Sequence, residues 1–114
     1  MEERRNSNRK FKIQEVLREI VSTYINIETN KTSLITVTRI DVSPNLSTCD
    51  IYVTVFPETA EESALNFLKR KRPEVKIAIK KKMHIRKIPF VDFKIDEGEK
   101  NRQRIEEISQ VARD

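Results

Sequence analysis

The chain has 114 residues, of which 36% are charged and 37% hydrophobic, with a net charge of +5 and a single glycine. That is the size of one domain with a small core. No apolar run approaches the ~18 residues of a membrane span, no hydrophobic segment follows Met1–Arg5 as in a secretory signal, and one glycine (Gly98) excludes the Walker loop, the dinucleotide fingerprint and a GxxG loop.

Residues 9–25 place Ile13, Val16, Leu17, Ile20, Val21 and Tyr24 on one face at helical spacing, with Asn6, Ser7 or Asn8 as candidate caps. Residues 26–33 are polar and aperiodic, a loop. Residues 34–42 (LITVTRIDV) are rich in β-branched types and read as a strand. Ser43-Pro44-Asn45-Leu46-Ser47 is a turn in which proline presets φ and asparagine tolerates positive φ. Residues 49–56 alternate, with Cys49, Ile51, Val53 and Val55 on one face, so two strands joined by this turn should pair antiparallel. Cys49 on that apolar face is a core residue rather than a thiolate nucleophile. As the only cysteine it forms no internal disulfide and suits the cytoplasm.

Pro57 ends the second strand. Thr59-Ala60-Glu61-Glu62 matches a capping box, followed by Ala64, Phe67 and Leu68 at helical spacing. Pro73 breaks this helix and opens another, with Val75, Ala78, Ile79, Lys82 and Met83 on one face. Pro89 stops that helix. Residues 90–95 (FVDFKI) alternate as a third strand, and residues 99–113 carry Ile105, Ile108 and Ala112 as a short marginal helix. The order gives an α+β fold with a three-stranded sheet covered on one face by helices. One domain fills residues 1–114, with about 1–6 and 97–114 flexible or marginal.

Charge is unevenly placed. Residues 69–87 (KRKRPEVKIAIKKKMHIRK) hold ten basic side chains and one acid, Glu74, while the other 95 residues hold thirteen basic and seventeen acidic, a net of −4. Apolar residues interrupt the block, so it is folded rather than a basic tail. Lys69, Arg70, Lys71, Arg72, Lys76, Lys80, Lys81, Lys82, Arg86 and Lys87 form a candidate phosphate-facing surface, since fixed cations release counterions from a polyanion. The plain alternative is a solvated helix face. Arg9 and Lys10, with Arg4 and Arg5, are an accessory RNA contact or helix-end solubility. No aromatic residue lies within 69–87, so backbone and shape recognition is expected rather than base stacking. His84 lies among basic neighbours and is structural or phosphate-contacting. Asp92 and Asp96, four apart on a strand and about 13 Å from each other, are too far apart to share a metal ion. No catalytic group, metal or cofactor is expected.

Four phrases, Arg9–Ile20 (RKFKIQEVLREI), Ile35–Ser43 (ITVTRIDVS), Asp50–Val55 (DIYVTV) and Arg86–Asp96 (RKIPFVDFKID), in this order and spacing, resemble the ribosome-binding factor A family over residues 5–110. The resemblance implies a type II KH-like domain in which a kinked helix pair replaces the GxxG loop. The family's Ala-x-Gly kink aligns with Lys71-Arg72-Pro73, where proline supplies the break by another route. It also implies a bacterial, cytoplasmic, monomeric and non-catalytic factor. Such a factor binds the immature small (30S) ribosomal subunit and its 16S rRNA and assists late maturation of the 16S precursor, with no membrane partner. The alternative is a generic KH-like binder of other RNA.

Overall fold

The computed structural model describes residues 2–28, 33–85 and 87–113, with side chains described for 9–26, 33–85 and 87–108. The order is α1 (Glu2–Glu28), β1 (Leu34–Val42), β2 (Thr48–Phe56), a 3-10 turn (Glu58–Ala60), α2 (Glu61–Arg70), α3 (Arg72–Lys82), β3 (Phe90–Ile95) and α4 (Glu97–Arg113). The sheet runs β1-β2-β3, with β1 antiparallel and β3 parallel to β2. The fold is α+β, as the sequence expects.

Alternation in the strands produces the core. Ile35, Val37, Ile40 and Val42 of β1, Cys49, Ile51, Val53 and Val55 of β2, and Val91 and Phe93 of β3 are buried. They meet Leu17, Ile20, Val21 and Ile25 of α1, Ala64 and Leu68 of α2, and Val75 and Ile79 of α3. Burial pushes the Cys49 thiol up to about 12, helped by Asp50 and Asp41, so it is a neutral core residue. The alternation slips once, at a bulge between Val37 and Arg39 that leaves Thr38 without a partner in the ladder.

Several local expectations are corrected. Helix α1 extends well beyond residues 9–25 and passes through Asn6, Ser7 and Asn8, so none of them caps it. Of the expected loop 26–33, residues 26–28 are helical and 29–32 lie outside the described residues. In the β1–β2 turn the positive φ (58°) belongs to Leu46, not Asn45. Asn45 instead accepts hydrogen bonds through Oδ1 from the Ser43 and Ser47 hydroxyls and the Ser47 amide, an Asx-type lock that fixes the turn from the side chain. The Thr59 capping box does not form. A 3-10 turn takes up Glu58–Ala60, and α2 begins on Ala60 with no side-chain cap.

The break between α2 and α3 is one residue wide. Lys71 donates its amide to the Phe67 and Leu68 carbonyls and accepts from the Val75 amide, closing one helix while opening the next. Pro73 sits second in α3 rather than first. Its missing N–H costs nothing there, because first-turn amides have no partner within the helix.

Helix α4 is longer than the sequence expects, and Asp96 anchors it. The Asp96 carboxylate accepts from the Glu99 amide (3.1 Å), capping the helix, and from the Thr38 hydroxyl (2.6 Å) at the bulge. The Asp96 amide donates to the Val53 carbonyl at 2.8 Å. The Thr38 hydrogen bond is the main reason the Asp96 carboxyl is held below the usual carboxylate range. Thr36 and Thr54, cross-strand partners, line a groove with Lys100, Gln103 and Arg104 of α4. By alternation this is the sheet face turned away from the core.

Candidate nucleic-acid interface

The basic block folds into α2, α3 and the segment that follows. At 3.6 residues per turn, buried Val75 and Ile79 fix the orientation of α3. Lys76 and Lys80 then share one flank, Lys81 lies on the other, and Ile77, 54% exposed, forms the crest between them. Lys80, Lys81 and Lys82 fill the last turn, where cations are favoured by the negative end of the helix dipole.

The two flanks face different neighbours. Lys69, Arg70, Arg72 and Lys76 open on a groove at β3. Lys81 and Lys82 border a groove against α1, with Val16, Ile20, Tyr24 and Ala78. In this second groove α1 runs antiparallel to α3: Tyr24 donates its hydroxyl to Glu74 near the start of α3, and Val16 lies in the groove with Lys82 at its end. Arg9 and Lys10 therefore lie in the turns of α1 that continue past the Lys82 end of α3.

Acids remove two residues from the set expected to be free. Arg72 donates from Nη1 to Asp92 at 3.3 Å and from Nε to the Lys69 carbonyl at 3.1 Å. Lys71 pairs with Glu74 at 3.4 Å. The Tyr24 hydroxyl, and secondly Lys71, hold the Glu74 carboxyl below its ordinary range. Among the described residues, Lys69, Arg70, Lys76, Lys80, Lys81, Lys82 and Lys87 make no ion pair, nor do Arg9 and Lys10. Lys87 and His84 are exposed in the segment after α3. Arg86 lies outside the described residues.

No group of His, Cys, Asp or Glu side chains among the described residues could hold a metal ion. Asp92 is engaged by Arg72, and Asp96, just past the end of β3, is the α4 cap. No helix of the described residues is long and apolar enough to cross a membrane. No aromatic residue lies within the block in sequence, but the fold brings one to its edge. Phe90, the first residue of β3, lines the Lys69–Lys76 groove, and the Arg72 guanidinium stands 5.5 Å from its ring centroid. Strand alternation already turns Phe90 away from the core face of Val91 and Phe93. Its nearness to the lysines, however, is created only by the fold.

A sequence model of ribosome-binding factor A matches residues 9–109. The chain belongs to the ribosome-binding factor A family. The Macrococcus caseolyticus ribosome-binding factor A is 31% identical over 112 residues, covering 95% of this chain and 98% of the relative. The Thermomicrobium roseum protein is 30% identical over 110 residues, covering 94% and 81%. The crystal structure of the Thermus thermophilus family member superposes with a TM-score of 0.69 at 25% identity, covering 75% of this chain and 94% of that one. A Thermus thermophilus ribosome-binding factor A model, fitted into a cryo-EM map of its complex with the 30S subunit, gives a TM-score of 0.63 at 26% identity, covering 71% and 88%.

Proposed function

We propose that this chain is a non-catalytic assembly factor that binds the immature 30S subunit and its 16S rRNA and assists late maturation of the 16S precursor. It acts as a monomer in the bacterial cytoplasm, with no cofactor, no metal and no membrane partner. The observation that carries the reading is the set of cations on α2 and along both flanks of α3 that make no ion pair among the described residues, held in place by buried Leu68, Val75 and Ile79 on a family fold. The Thermus thermophilus relative, described in complex with the 30S subunit, supports the choice of target.

Lys69, Arg70, Lys76, Lys80, Lys81, Lys82 and Lys87 supply phosphate contacts, and Arg86, Arg9 and Lys10 extend them. Lys71 and Arg72 contribute less, because each must first give up an acid. The mechanism is stoichiometric. The bound factor stabilises one rRNA arrangement over another by the difference in its affinity for the two.

Cosedimentation in a low-salt gradient tests the reading. The factor is expected with small subunits, and free protein at the top of the gradient overturns it. Competition by unrelated RNA as effective as that by subunits would instead make it a generic RNA binder.

A further inference from the structure

The groove between α1 and α3 has a volume of about 410 Å³ and lies on the flank of α3 turned away from Lys76 and Lys80. Its floor is aliphatic, formed by Val16 and Ile20 of α1 and Ala78 of α3. Val16 is 42% exposed, so apolar surface stays open to water there. The two rims differ in charge. Lys81 and Lys82 stand on the α3 side, Glu19 and Thr23 on the α1 side. All four are exposed, and Lys81, Lys82 and Glu19 make no ion pair among the described residues. At the far end the Tyr24 hydroxyl donates to Glu74, which ties the two helices together.

We infer that this groove docks one amphipathic helix of a protein partner, with an apolar stripe on the floor, acidic side chains along the edge facing α3 and a basic one along the edge facing α1. The walls select a helix. Both are helices themselves, with their backbone groups already paired, so an extended segment would find no ladder to join. A helix satisfies its own backbone and can set a ridge of side chains between those of α1 and α3. Val16 and Tyr24 are eight residues apart, about 12 Å of helix, which accommodates apolar anchors at i, i+4 and i+7. Charge complementarity selects the edges. An uncharged helix would take water from Lys81, Lys82 and Glu19 and replace it with nothing. A nucleic acid would leave the aliphatic floor unused and bring phosphates up to Glu19. A helix seated here leaves Lys69, Arg70, Lys76 and Lys80 uncovered, so the inference does not depend on the RNA-binding reading.

The test uses the full chain, labelled with nitrogen-15, and two synthetic helical peptides. The probe carries leucines at i, i+4 and i+7, glutamates along one edge of that stripe and lysines along the other. The control replaces the glutamates with lysines. Wild-type protein is expected to bind the probe about tenfold more tightly than the control, with amide shifts centred on Val16, Ile20, Thr23, Ala78 and Lys81. Changing Lys81 and Lys82 together to Glu should reverse that preference, since the exposed rim then attracts the control. Val16→Asn should weaken the probe about tenfold by removing part of the floor, with an unchanged far-UV circular dichroism spectrum to establish folding. Equal affinity for probe and control, a preference that survives the charge change, or shifts centred away from the groove would each overturn the inference. So would a probe that fails to bind up to about 1 mM. Groove amides that shift with an RNA duplex but not with the probe would assign the groove to nucleic acid and overturn it as well.

Discussion

In α4, Arg104 holds Glu58 with Nε at 2.8 Å, Lys100 holds Glu61 at 3.0 Å, and Arg102 reaches Glu99 at 2.6 Å and Glu106 at 2.5 Å. In α3, Lys76, Lys80, Lys81 and Lys82 reach no acid among the described residues. Both helices carry several basic residues, but among those whose side chains are described only α3 has cations free of an acid. Before a cation of α4 can serve a phosphate, it must break a pair it already makes. A cation of α3 surrenders only water and counterions. The position of acids, rather than the number of lysines, therefore separates a surface with free cations from one whose cations are already neutralised. The Glu99–Arg102 and Arg102–Glu106 spacings are the i,i+3 and i,i+4 pairs that support a helix by themselves, and Lys100 and Arg104 fasten α4 to the chain around α2.

The most severe way to break the comparison is to remove both regions at once. Val53 is fully buried, and its carbonyl receives the Asp96 amide. Val53→Asp is expected to cost several kcal/mol by burying an unpaired charge, enough to unfold the domain. Loss of the cooperative thermal transition is the readout. Next in size, Lys80, Lys81 and Lys82 changed together to Glu should lower subunit binding at least about a hundredfold, since three phosphate contacts become repulsions. Cosedimentation measures the loss, and an unchanged Tm separates it from misfolding. Retention of binding would place the RNA on another surface.

Asp96→Ala sharpens the contrast from the other side. It removes the cap of α4 and the acceptor of Thr38, and is expected to cost about 1–2 kcal/mol in urea unfolding. RNA affinity should stay as it was. The same anchor sets a pH dependence. The Asp96 carboxyl titrates lower in the folded chain than in the unfolded one, where it is near ~3.9, so its contribution is complete above that value. It is lost as pH falls through the depressed folded value, and the wild type should lose more stability across that acid range than Asp96→Ala. Smallest of all, Arg104→Ala should lower Tm by no more than a few degrees and leave the salt dependence of RNA binding unchanged. That dependence should follow the acid-free cations of α2 and α3, with a slope of roughly −0.7 to −0.9 per phosphate contacted.

Much of this was legible in the sequence, because local signals and tertiary structure agree there. The β-branched run that marks β1 and the alternation that marks β3 reproduce their observed limits, and Pro73 marks the helix break to within one residue. The errors fall where a distant partner decides. Thr59 and Glu62 spell a capping box, but the chain after Pro57 enters a 3-10 turn instead, with Glu58 reaching across to Arg104 of α4. One error is local instead: Asn45 has the residue type for a positive φ, yet it serves the turn through its side chain, bonded two residues either way, and Leu46 takes the left-handed position. Asp96 looks like one more strand carboxylate until Thr38, fifty-eight residues earlier, is placed beside it. In the basic block, composition lists Arg72 and Lys71 with their neighbours. Glu74 stands at i+3 from Lys71 in the sequence itself, but only the fold brings Asp92 to Arg72 and Tyr24 to Glu74. Phe90 follows the same rule in reverse, since a residue outside the block becomes part of its surface.

The parallel pairing of β2 with β3 has a mechanical consequence. Two neighbouring strands that point the same way require the chain to leave one end of the sheet and re-enter at the other, and here that return path is α2 and α3. The lysine-bearing helices are thus tethered to adjacent strands at opposite ends of a single ladder. A tug from a moving ribonucleoprotein on that loop would load the hydrogen bonds from Thr48↔Phe90 to Val53↔Ile95 together, in shear, instead of peeling them open one at a time.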